Sequence, residues 1–268
     1  VRLTGGEPLL RPDLTDIVER LARLETTDGA PLPVSMTTNG IGLGDKIDEL
    51  VAAGLTRVNI SLDTLDPERF RELTKRDRFA DVMAGIEAAR QSWLTPLKLN
   101  AVAMQGVNED ELIDLVEFAN SINAEMRFIE QMPLDISHTW RRDHLLSGDE
   151  IRAHLSERYQ LTPLDGRGTA PAELFQLDGG PHRVGIIASI SAPFCGDCDR
   201  VRLTADGQVR NCLFATDESD LRTALRAGAD DEVLVEIIRS SIRAKLPGHG
   251  INTEGFVQPS RGMNSIGG

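Results

Sequence analysis

Short apolar runs alternate with amphipathic stretches through the first half of this chain. Runs at 1–4, 33–37, 57–62, 97–104 and 125–130 read as strands. Between them, 13–25, 45–53, 67–74 with 80–91, and 108–120 place apolar residues at helical spacing. Asn108, followed by Glu109, Asp110 and Glu111, has the form of a helix start, a cap residue ahead of an acidic first turn. Strands separated by helices of this length predict βαβ units and a parallel sheet, either a barrel or an open doubly wound sheet. From about residue 133 to 181 the pattern weakens, leaving one helix at 148–159 and a Gly/Pro-rich connection. A strand at 182–191 follows, then a hairpin over 200–214 turning at Asp206-Gly207, then helices at 217–227 and 230–246. From Leu246 onward the chain is Gly-rich and unpatterned, the composition of a disordered terminus.

Parity within the strands adds a second layer of information, because alternate residues face opposite sides. Arg2 and Thr4 share a face, as do Ser35, Thr37 and Asn39, then Asn59, Ser61 and Asp63, then Lys98 and Asn100. Helix capping and strand-end chemistry would account for any one of these. Polar residues repeated on one face of four parallel strands would each need a partner in a dry core. They predict instead a polar cavity inside a barrel, open at the C-terminal ends of the strands.

Composition narrows the class. With 268 residues the chain fits one large or two ordinary domains. A net charge of −13 argues against a nucleic-acid or anionic-membrane partner for the molecule as a whole, while leaving room for a local basic pocket. No apolar run approaches the ~20 residues of a membrane span. Three cysteines do not make a disulfide framework, which favours a reducing, cytoplasmic setting. The chain opens at Val1, inside a strand and without a leader, so an N-terminal piece is expected to be missing.

The chemistry concentrates in a few motifs. "TGGEP" after the first strand lets a ligand approach the backbone closely, with Glu7 as an acceptor. "MTTNG" is a second polar strand end. All three cysteines lie in "FCGDCDRVRLTADGQVRNCLF", as Cys195-x2-Cys198 with Cys212 after thirteen more residues. A loop followed by a hairpin is suited to bringing thiolates together. One alternative is zinc, completed by water or by His182 or His249, neither at ligand-like spacing. Another is an iron–sulfur cluster, where three thiolates on four irons leave one iron open. Unligated buried cysteines are the third. Arg200 and Arg202, at strand parity beside them, suit a phosphate or carboxylate.

Taken in order, "RLTGGEP", "TTNG", "NISLD", "KLNAV", "EQMPL", the cysteine block and a final Gly-Gly resemble the GTP 3′,8-cyclases, radical S-adenosylmethionine (SAM) enzymes of molybdenum cofactor biosynthesis. The resemblance covers essentially the whole chain. It implies an incomplete (βα)6 barrel, here truncated at its N-terminus, over residues 1–135, and a C-terminal α+β region carrying a second 4Fe–4S site over 136–268. It implies that a first 4Fe–4S cluster reduces SAM to a 5′-deoxyadenosyl radical, which takes a hydrogen from the ribose of GTP, and that rearrangement gives a cyclised product. Carried to matching positions, Gly6, Ser61 and Met132 contact SAM. Arg2, Thr37, Lys98, Arg200, Val201 and Arg202 contact GTP. Cys195, Cys198 and Cys212 hold the second cluster, whose open iron receives the guanine base, and Gly267 and Gly268 reach the active site. An electron donor of unknown identity, the next enzyme of the molybdopterin pathway and a homodimeric partner complete the implied associations. One departure is severe: the family's first cluster needs CxxxCxxC upstream of "GGEP", and these residues contain no such motif. The chain as written is therefore expected not to catalyse the reaction.

Overall fold

The computed structural model describes residues 1–136 and 139–266. In chain order its first eight strands are β1 (Arg2–Leu3), β2 (Val34–Thr38), β3 (Leu55–Ser61), β4 (Lys98–Ala103), β5 (Glu125–Glu130), β6 (Leu161–Pro163), β7 (Glu173–Leu177) and β8 (Arg183–Ile187). They form one sheet in the order β1-β2-β3-β4-β5-β8-β7-β6. The first six positions are parallel neighbours, and β7 and β6 add on antiparallel. The fold is thus an open radical-SAM-type α/β arrangement, and its sheet runs on past residue 135 into the C-terminal region.

Helices α1 (Leu14–Ala22), α2 (Ile47–Ala52), α3 (Pro67–Thr74), α4 (Phe79–Gln91), α5 (Leu112–Ser121) and α6 (Gly148–Ser156) supply the crossovers. Met36, Val58, Ile60, Leu99, Met126 and Phe128 pack with them into the main core. Local chemistry fixes several boundaries. Asp66 caps α3, accepting from Glu68 N at 2.8 Å, with Pro67 in the first turn. Ser147 and Glu150 make a capping box on α6. Helix α4 rides so close to the β2 loop that a Cβ on Gly85 would lie 2.1 Å from the Gly40 carbonyl oxygen.

Some expectations are corrected. Asn108 does not cap a helix: its amide donates to the Asp63 carbonyl at 2.7 Å and the Val102 carbonyl at 2.9 Å, and accepts from Met104 N at 2.9 Å. Committed to stapling the end of β4, it leaves a 3₁₀ turn at Glu109–Glu111, and α5 begins only at Leu112. The pair β6–β7 was not anticipated, because β6 is short and largely exposed and lacks an alternating pattern.

Past β8 the expected hairpin forms from β9 (Arg202–Leu203) and β10 (Gln208–Arg210). Gly207 adopts φ +80° at its turn, where a Cβ would meet that of Arg222 at 2.6 Å. Ser219–Asp220, expected as helix, is β11, and joins β10 ahead of α7 (Leu221–Arg226) and α8 (Asp231–Arg243). The terminal stretch is anchored rather than disordered over its described part. Ile251 and Ile266 bury themselves with Leu134, Ile190 and Phe214 in a second core, and α9 (Met263–Ile266) begins with Met263 N donating to Leu134 O at 3.1 Å. Gly267 and Gly268 lie outside the described residues. Among the described residues no helix is long and apolar enough to cross a membrane.

Candidate functional site

The strand register stacks the polar face into layers. Thr37, Asn59, Lys98 and Glu125 lie side by side across β2–β5. The layer nearer the C-terminal ends holds Ser61, Asn100, Arg127 and Gly185. Above these layers opens a cavity. Arg2, Thr37, Asn59, Asn100, Arg127 and Met132 line its sheet side, and Phe194, Cys195, Cys198, Arg200, Arg202, Cys212 and Met263 face them from the C-terminal region. The parity reading therefore holds for Arg2, Thr37, Asn59 and Asn100.

Other expected residues lie elsewhere. Lys98 sits beneath the lining rather than in it. Ser61 is exposed at the end of β3, and Gly6 is exposed just past β1 with open space where a Cβ would project. Val201 is exposed beside the hairpin and is not part of the lining. Glu7 does not offer an acceptor to a ligand. Its Oε1 accepts from Leu9 N at 3.1 Å and Thr38 Oγ1 at 2.7 Å, and its Oε2 from Asn39 N at 2.8 Å. It ties the first βα loop to the end of β2.

The cavity is cationic. Arg2 stays open to solvent at the sheet edge, yet its desolvation and then the charges of Arg127, Arg57 and Arg200 hold its pKa below the usual guanidinium value. Burial, then the neighbouring Arg127, lowers Lys98 to about 8. Asn100 contributes a buried Oδ1 with no hydrogen-bond partner among the described residues, an acceptor that a donor group on a ligand would satisfy.

Opposite the sheet, the cysteine loop starts with a 3₁₀ turn at Cys195–Asp197. Glu130, fully buried, accepts from Gly148 N and Ile190 N, both at 2.6 Å, from Ser191 N at 2.9 Å, and from the Ser191 hydroxyl. One carboxylate thus fixes the end of β5, the start of α6 and the segment leading to the cysteines. Cys198 Sγ receives Arg200 Nη1 at 3.5 Å and Lys245 Nζ at 3.4 Å, and Lys245 also donates to Arg200 O at 2.8 Å. Burial pushes the Cys198 thiol up, but the hydrogen bonds and charges of Arg200 and Lys245 outweigh it and leave it below its ordinary value. Burial raises Cys195.

This donor set fits an anionic thiolate-bound cluster: three thiols on one cavity wall, with two cations turned to one sulfur. It does not fit a zinc site completed by histidine. His249 Nε2 is 2.9 Å from Ser189 O, its Nδ1 accepts from Ile251 N at 3.2 Å, and His182 stands near the opposite, N-terminal end of β8. Among the described residues no three His, Cys, Asp or Glu side chains are gathered as a single-ion site.

Sequence reading passed over Glu125, Arg127, Glu130 and Lys245. Glu125 and Arg127 could have been found, since they continue the polar parity onto the fifth strand. Nothing local marks Lys245, which lies 47 residues from the cysteine it contacts.

Comparison with known proteins agrees with this geometry. Residues 1–119 match the family described as the radical SAM superfamily, and 124–251 match Molybdenum Cofactor Synthesis C. The GTP 3′,8-cyclase of Streptomyces coelicolor is 55% identical over the whole of this chain, which spans 78% of that protein. Those of Corynebacterium glutamicum (strain R) and Rhodococcus opacus are 49% and 51% identical, again over the whole chain, which spans 73% and 75% of them. Identity of about half runs over the whole of this chain and so over both matched regions, and the chain belongs to the GTP 3′,8-cyclase family of radical SAM enzymes.

Proposed function

We propose that this chain supplies the GTP cavity and the second cluster site of a GTP 3′,8-cyclase acting in molybdenum cofactor biosynthesis. The observation that carries the reading is the meeting of three thiols with the guanidiniums of Arg2, Arg127, Arg200 and Arg202 around one cavity at the strand ends. Guanidiniums converging in a partly desolvated space favour a polyphosphate, which they bind by charge-assisted hydrogen bonds. Thr37 offers a hydroxyl beside them, and Lys98 adds charge from below. Cys195, Cys198 and Cys212 would hold three irons of a 4Fe–4S cluster, leaving the fourth to the guanine base, with Arg200 and Lys245 favouring the thiolate form of Cys198.

Met132 lines the cavity, with Gly6 and Ser61 at exposed strand ends, and these three are assigned to SAM. When bound, SAM and its own cluster supply the radical that removes a ribose hydrogen. The three cysteines of these 268 residues are all used at the second site, so the thiolates of that first cluster are not among them. On their own these residues are expected to bind the nucleotide without converting it. An external electron donor, a downstream enzyme receiving the cyclised product, a second copy of the chain and a cytoplasmic setting complete the reading.

The test is iron, sulfide and zinc content after anaerobic reconstitution, with GTP titrated into the same sample. About four irons per chain, with a spectrum that GTP perturbs, is the expected result. Stoichiometric zinc with no response to GTP would overturn it.

A further inference from the structure

A carboxylate sits just beneath the lining of this cationic cavity, and its sign is wrong for a phosphate ligand. Glu125, its side chain 3% exposed, lies on the cavity face of β5 beside Lys98 of β4. Its Oε1 accepts from Arg127 Nε at 2.7 Å, pairs with Arg127 Nη2 2.6 Å away and stands 4.0 Å from Lys98 Nζ, while Oε2 accepts from Arg183 of β8. Repelling the ligand is a cost that must be offset by what Glu125 does to the cations around it.

Two effects follow from the contacts. First, Arg127 commits its Nε–Nη2 edge to one oxygen, so its planar group is fixed and Nη1 is the donor turned away from Glu125. Second, Lys98 is a buried ammonium among cations: Arg127 of β5, Arg57 of β3 and Arg183 of β8 all oppose its charge, and Glu125 is the acid that supports it. Without Glu125, the orientation of Arg127 and the charge of Lys98 would both be at risk.

We propose that Glu125 is a positioning residue of the nucleotide site, its single carboxylate holding the Arg127 fork and the Lys98 ammonium as a fixed pair of cations beneath the phosphates. This rests on the cavity being the GTP site. It goes further by assigning affinity and its pH range to a residue that need not touch the ligand.

The test is GTP affinity of the reconstituted chain by calorimetry between pH 7 and 9.5, above the phosphate's own titration near about pH 6. The wild type should lose affinity as pH rises through about 8, where Lys98 loses its proton. In E125Q, Lys98 deprotonates at lower pH, so the deficit against wild type widens with pH, reaching about tenfold for each unit by which Lys98 is shifted. R183Q, at a side chain 42% exposed, removes an opposing cation and should move the loss to higher pH. In K98M the pH-dependent part of the E125Q effect should vanish. Parallel pH profiles for wild type and E125Q overturn the proposal. If E125Q fails to fold, E125D carries the test: it keeps the charge but draws it back from Arg127 and Lys98, and affinity and pH profile both equal to wild type overturn the proposal. A wild type that binds no GTP at any pH would instead overturn the reading of the cavity.

Discussion

On the sheet side of the cavity a side chain's place follows from backbone periodicity, whereas on the facing side it follows from a few long-range polar contacts. Thr37, Asn59 and Lys98 share a layer because three neighbouring strands are in parallel register. Their partners need no special arrangement, and the apolar residues of opposite parity hold the strands against the helices. The cysteine loop has no such lattice. It is held through Glu130, through Lys245 bridging Cys198 and the Arg200 carbonyl, and through the terminal segment, where Arg261 forks onto Asp206 at 2.8 and 3.0 Å and onto Glu218 at 2.8 Å. The same cavity therefore has one wall whose precision is distributed over many weak contacts and another whose precision rests on individual residues.

That contrast can be broken at its strongest point first. Glu130→Ala should strand four donors in a buried site and cost about 3–5 kcal/mol, with iron retention falling alongside the urea midpoint. Iron retention unchanged would mean the loop is held otherwise. Gly85→Ala, on the sheet side, should cost about 3 kcal/mol by driving α4 into the Gly40 carbonyl, but with cluster content lost only in step with unfolding. Arg202→Ala should leave the fold intact and weaken GTP by about 2 kcal/mol, roughly thirtyfold, with a smaller effect on SAM; equal losses for both ligands would mean the pocket is misassigned. The smallest effect belongs to Arg261→Ala, which should speed proteolysis of the terminal segment by roughly two- to fivefold, with Arg261→Lys, which keeps a cation between Asp206 and Glu218, restoring part of the protection.

The same division decides how much could be read beforehand. The strands and helices of the first half, and the parity that sends Arg2, Thr37, Asn59 and Asn100 into the cavity, were legible because periods of 2 and 3.6 are local properties. The three-cysteine block was legible as one unit by its spacing, and its three thiols do come to one cavity wall. Asn108 misled because an amide that can cap a helix can equally staple a strand end, and only the tertiary position of Asp63 decides between them. Glu130 carried no warning either: its parity points away from the cavity, and its partners lie 18 and about 60 residues further along the chain. The terminal segment looked structureless because its order comes from burying isolated residues such as Ile251 and Ile266 rather than from any repeating pattern.

The sheet's continuity has a bearing on how this protein can be taken apart. The two matched family regions meet between residues 119 and 124, which invites treating them as interchangeable modules. Yet β5 belongs to the second region and hydrogen-bonds to β4 of the first on one side and to β8 on the other. A cut at that boundary would bare one edge on each half and divide the cation layer, leaving Lys98 on one piece and Glu125 with Arg127 on the other. Exchanging the second region between relatives would therefore transplant part of the proposed nucleotide floor together with the three cysteines. Hybrids should inherit the nucleotide affinity of neither parent unless the residues of β4 and β5 travel together.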